Sequence, residues 1–127
     1  MTPAAREWAD KAEEDWTVAI RENRVKRTPV HGAVCFHAQQ CAEKYLKALL
    51  ADAGLAIPKV HDLLALRSIV SPACKAVSGL PATRLAGLSR AAVEYRYPGG
   101  IVIKRTALAA VATARQVRSV ARKALGM

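Results

Sequence analysis

In FHAQQCAEKYLKALL, residues 36–50, Gln40, Glu43 and Lys47 recur at intervals of three and four. On a helix that spacing lines up an amide, a carboxylate and an ammonium. Such a row can hold a ligand's hydroxyl and phosphate. It can equally be a solvated face, with Glu43 and Lys47 as an i, i+4 ion pair worth roughly 0.3–0.5 kcal/mol. His61 and Arg96 are the other candidates for ligand binding. An imidazole titrates near neutral pH, and a guanidinium grips phosphate with a fork of donors. Each has a plainer role too: His61 as a cap or packing group at the start of a helix, and Arg96, set between Tyr95 and Tyr97, as a cation stacked on a tyrosine.

The charge is lopsided. Residues 1–62 hold 9 Lys/Arg against 9 Asp/Glu, whereas residues 63–127 hold 11 against Glu94 alone, so the whole excess of +10 lies in the second half. Clustered cations attract polyanions or acidic proteins over a long range. Lys104, Arg115, Arg118 and Arg122 share one helical arc and are the expected contacts to nucleic acid or an acidic partner. Only Tyr95 and Tyr97 offer aromatic faces in this half, which favours contact with a phosphate backbone over base-specific stacking. Cys35, Cys41 and Cys74 form no C-x-x-C pair, so buried free thiols are expected, with no disulfide, metal site or cofactor.

Helices must position these groups. Residues 4–22 place Ala5, Trp8, Ala9, Ala12, Trp16, Ala19 and Ile20 on one arc, with Thr2 as cap and Pro3 at the first position. A second helix over 32–53 carries Val34, Cys35, Ala38, Ala42, Tyr45, Leu46, Leu49 and Ala53 opposite the polar row and stops at Gly54. A short third helix follows Asp62, with Leu63, Leu66, Ile69 and Val70 as its apolar residues. Pro81 opens a fourth, with Leu85, Leu88, Ala92 and Tyr95 on one side, and YRYPGG ends it. The last helix, over 104–125, turns Ala110, Ala114, Val117, Ala121 and Ala124 inward. No strand pattern competes, so the expectation is one all-α domain over 1–127: an antiparallel up-and-down four-helix bundle with an additional short helix. With no apolar run of membrane length and no secretory signal, a cytoplasmic protein is expected.

Three segments, QQCAEKYLKALL, KVHDLLAL and YRYPGG, resemble the HEPN family in sequence and order, with Gln40, Glu43, Lys44 and Lys47 reproducing its Q-x-x-E-K-x-x-K pattern. The resemblance covers nearly the whole chain. It implies a helical bundle, commonly a homodimer, that binds nucleotide or RNA and works beside a nucleotidyltransferase partner in toxin and antitoxin or defence modules. Many members are metal-independent ribonucleases using an Arg and a His separated by four to six residues after the fourth helix. Here the positions allowed from Arg90 hold Tyr95, Arg96 and Tyr97, and those from Arg96 hold Ile101, Val102 and Ile103. No catalytic residue is therefore assigned, and binding is expected over catalysis. The alternatives are a ribonuclease toxin using His37 or His61 with Arg96, and a non-catalytic scaffold for a partner enzyme.

Overall fold

The computed structural model describes residues 1–127. It consists of α1 (Pro3–Asn23), α2 (His31–Asp52), α3 (Leu63–Val70), a 3-10 turn at Lys75–Gly79, α4 (Ala82–Glu94) and α5 (Lys104–Ala124). Four long helices form the antiparallel bundle, and α3 is the additional short one. The β-branched stretch at 101–103 lies in the α4–α5 connector and forms no strand.

Local chemistry sets the helix ends. Thr2 Oγ1 accepts a hydrogen bond from Ala5 N at 3.1 Å, with Pro3 following at the first helical position. Thr2 also donates its own backbone N–H to Asp52 Oδ1 at 2.9 Å, which ties the start of α1 to the end of α2. Past α2, Gly54 adopts φ +71°, a left-handed conformation that costs glycine little and lets the chain turn back. Asp62 Oδ1 accepts from Leu64 N at 2.8 Å and caps α3. Ser89 Oγ of α4 accepts from Leu63 N at 3.2 Å, so α3 is held from two sides.

The core is one continuous cluster of buried side chains, with α2 at its centre. Fourteen of the 22 residues of α2 are buried, because α1, α3, α4 and α5 all pack against it. Large groups come mainly from α2, as Tyr45, Leu46 and Leu50, and from Leu63, Leu66 and Leu85. The facing helices contribute mostly alanines, Ala5, Ala9, Ala12 and Ala19 from α1 and Ala107, Ala110, Ala114 and Ala121 from α5. Small groups opposite large ones let the helix backbones approach while the layer stays filled.

Helical periodicity misplaces four residues at element ends, and the first is Ala53, exposed at the C-cap of α2. Ile69 and Tyr95 are exposed, and Ala124 is exposed while its neighbour Leu125 is buried. Each lies in a last turn or just beyond it, where the neighbouring helix no longer covers the stripe. Leu46→Ala is expected to lower unfolding stability by about 2–5 kcal/mol. The exposed Val18→Ala should stay within about 0.5 kcal/mol of wild type. Urea unfolding followed by circular dichroism measures both.

Candidate functional site

The row of Gln40, Glu43 and Lys47 is not a wet face. Glu43 and Lys47 are 5% and 4% exposed, which places both inside the molecule. The cause is the central position of α2, which leaves no broad solvent side on which a polar row could lie. Lys47 Nζ donates to Glu43 Oε2 at 3.0 Å and lies 5.7 Å from the Trp8 ring centroid, under α1. Gln39 Nε2 donates to Glu43 Oε1 at 3.1 Å and to the backbone oxygen of His61 at 3.0 Å. His61 Nδ1 sits 3.2 Å from each Glu43 oxygen. Gln40, half-buried, donates to Gln39 Oε1 at 2.9 Å and so belongs to the same chain of bonds one step out.

An ionised carboxylate only accepts hydrogen bonds, so Nδ1 of His61 carries the hydrogen and Nε2 is the nitrogen left for other chemistry. The His61 side chain is 78% exposed, which leaves that nitrogen within reach of a ligand. Beside it runs an open groove of about 460 Å³ between the start of α3 and α4. Gln39, His61, Ser89, Arg90 and Arg96 line it, with Asp62 as its only acid. The Oδ1 of that acid is engaged in capping α3. Neither Arg90 nor Arg96 reaches a carboxylate in an ion pair. The Arg96 guanidinium lies 5.2 Å from the Phe36 ring centroid, so its aromatic support comes from α2 and not from the adjoining tyrosines. Tyr95 instead rests on Gly32 at the start of α2, where any Cβ would collide with its ring.

The HEPN domain model matches residues 5–124. The chain belongs to the HEPN family. The crystal structure of TT1696 from Thermus thermophilus is similar to this HEPN chain in fold, with a TM-score of 0.73 and 20% identity over 96% of this chain and 98% of that one. No curated protein matches the sequence.

Of the residues picked out by sequence, this HEPN bundle brings His61 and Arg96 into one groove and sets Glu43 and Lys47 behind its wall. The α5 residues lie elsewhere. Lys104 and Arg115 are exposed, with Arg115 5.5 Å from the Trp16 centroid. Arg118 turns inward, donating to Glu13 Oε2 through Nε at 2.9 Å and to Glu13 Oε1 through Nη2 at 2.6 Å, and also covers Trp16. Arg122 donates to Tyr45 Oη at 3.2 Å, and Tyr45 in turn donates to Glu13. The basic arc is therefore two free cations and two committed to a carboxylate of α1.

The sequence reading missed Gln39, Ser89 and Arg90, and with them a second buried acid, Asp15. Asp15 meets His37 Nδ1 at 2.8 Å and Lys44 Nζ at 2.6 Å. Gln39 stands four residues before Glu43, a spacing that would have signalled it; Ser89 and Arg90 join only through the fold. The thiols of Cys35 and Cys41 are buried and both titrate high, Cys35 at about 11, chiefly through desolvation. Cys74 is half-buried, short of the burial expected for it.

Hydrogen bonds from Arg118 are the main cause holding the Glu13 carboxyl below its ordinary value of 4.5, opposed by burial and assisted by Tyr45 and the charge of Arg122. Burial, then the bond to Glu13, pushes the Tyr45 hydroxyl up to about 12. A depressed carboxyl stabilises the fold above its unfolded value and loses that contribution as pH falls through its folded one. Glu13→Gln should therefore show a shallower loss of stability than wild type as pH is lowered from 4.5, read from urea midpoints across an acid series. Lys47→Ala should cost about 3–5 kcal/mol by leaving the Glu43 charge without its ammonium. Lys47→Met with Glu43→Leu should recover most of that loss in the same unfolding assay.

Proposed function

We propose that this HEPN protein binds a phosphate-bearing nucleotide or RNA in the groove between the start of α3 and α4. The observation that carries this reading is the pair of guanidinium groups, Arg90 and Arg96, that share the groove with an oriented imidazole and have no carboxylate partner. Two arginines lining one groove against the single charge of Asp62, whose carboxylate is taken up in capping α3, favour an anion there, and a forked guanidinium suits phosphate. Ser89 supplies a hydroxyl on the wall, whereas Gln39 has both amide hydrogens engaged and serves to hold the wall in place. Glu43 and Lys47 act from behind: they fix Gln39 and the ring plane of His61 and need not touch the ligand. The groove's volume lies within the roughly 300–1,000 Å³ of small-molecule sites.

A second reading, a ribonuclease with a non-standard histidine, is favoured by one feature, the Glu43-oriented His61 with Nε2 free. In that reaction Nε2 would take the proton of a ribose 2′-hydroxyl as its oxygen bonds to phosphorus. The phosphorus to O5′ bond breaks, O5′ takes a proton from solvent, and Arg96 holds the phosphoryl charge.

A protein partner is also part of the proposal. Val93, Tyr97, Ile101, Ile103 and Leu108 are all exposed, Ile101 at 84%, along the end of α4, the connector and the first turns of α5. Apolar groups gathered in this way suit a protein contact, and a homodimer through this surface fits the family's habit. A nucleotidyltransferase partner, and with it a toxin and antitoxin or defence role, rests on the family resemblance.

Titration with AMP, GMP and a short RNA at low salt tests the binding reading, with incubation of the RNA in EDTA testing cleavage. Binding that weakens about tenfold in Arg96→Ala is expected, without cleavage. No affinity for any of the three would refute the reading. Cleavage lost in both His61→Ala and Arg96→Ala would replace it with the enzyme.

A further inference from the structure

The opposite flank of α4 carries a second groove. Between α4 and α5 lies a cleft of about 480 Å³ floored by small residues, among them Gly87, Ala91, Ala109 and Ala110. A Cβ placed on Gly87 would meet nothing within 4 Å, so the space there is open. Arg84, Arg90 and Arg105 line the cleft, and no carboxylate does. None of the three is in an ion pair or donates a side-chain hydrogen bond, in contrast to Arg118 and Arg122, which face Glu13. The α4–α5 seam is thus a trough between two helices whose facing side chains are too short to fill it, with unpaired guanidinium groups along it.

Arg90 belongs to both grooves. It stands on the ridge of α4, with Arg96 and His61 on one flank and Arg84 and Arg105 on the other. We infer that the two grooves form one continuous track for a single strand of nucleic acid, which crosses α4 at Arg90 and places successive phosphates against Arg96, Arg90 and then Arg84 and Arg105. This rests on the proposed phosphate site in the first groove and extends it from a nucleotide to a strand. A helix with its side chains is about 10–12 Å across. Phosphates recur at roughly 3.4 Å or more per nucleotide along a strand, so a chain of about three nucleotides suffices to engage both flanks. A mononucleotide reaches only one. The scarcity of exposed aromatic groups on these walls makes the contact one of backbone charge, with little preference for sequence.

The test compares UMP with an octanucleotide of uridine, binding to wild type, to Arg84→Ala with Arg105→Ala, and to Arg96→Ala, over a range of salt concentrations. All three arginines are exposed and outside the core, and unchanged unfolding midpoints will show that each variant folds. The octanucleotide should bind about tenfold or more tighter than UMP. The double variant should lose about tenfold in octanucleotide affinity and about 1.4 in salt slope, two contacts at roughly 0.7 each, with UMP binding unaltered. Octanucleotide affinity and slope unchanged in the double variant would overturn the track, while a loss of UMP binding in Arg96→Ala would leave the nucleotide site standing. Octanucleotide binding that needs Arg84 and Arg105 but ignores Arg96 would overturn the continuous track, and UMP binding that also ignores Arg96 would overturn the first-groove reading.

Discussion

A carboxylate removed from water must be met by donors on every side, and in this bundle that demand falls on Glu43. Its partners arrive from three directions: Lys47 and Gln39 along α2 itself, and His61 from the segment that leads into α3. Desolvating both charges of the pair costs several kcal/mol, which their mutual attraction offsets only when the remaining lone pairs are also satisfied. The consequence is geometric. Once Glu43 is fixed, the register of the α2–α3 connection is fixed with it, because Gln39 bonds to the backbone of the same histidine whose ring meets the carboxylate. The wall of the groove is thus a by-product of a buried charge that tolerates few alternative arrangements.

The same chemistry recurs on the α1 side of α2. Asp15 is joined by a histidine and a lysine, His37 and Lys44, as Glu43 is joined by His61 and Lys47. The two sets differ in what lies beside them. His61 borders a groove with unpaired guanidinium groups, whereas the His37 ring meets the edge of Phe36, and no arginine pairs with Asp15. An oriented imidazole is common to both; a cationic neighbour distinguishes the one that can meet an anion.

Much of the architecture was legible from residue spacing. Thr2, Asp62 and Gly54 punctuate helices where their side chains or backbone freedom predict, and the small and large residues alternate at helical intervals. Burial of the polar row was not legible. Periodicity reports one helix against an assumed solvent, and it fails for a helix enclosed by four others, where Gln39, Glu43 and Lys47 must find partners in the interior. The arginines of α5 fail for a related reason: a basic arc reads as free charge until a carboxylate on another helix, here Glu13, is known to face it. Arg90 entered the sequence only as a possible start of the Arg-to-His spacing, because its place between two grooves is a relation among helices that no local pattern contains.

Gly32 and Tyr95 join two distant parts of the chain by nothing more than the absence of a side chain. The ring of Tyr95, at the end of α4, occupies the place a Cβ would take on the first turn of α2, where the amides of Ala33 and Val34 both bond to Val30 O. Displacing the Tyr95 ring would leave Gly32 without its cover at the start of α2. Hydrogen exchange at the first turn of α2 therefore reports on the seating of that ring and, through it, on the start of the α4–α5 connector.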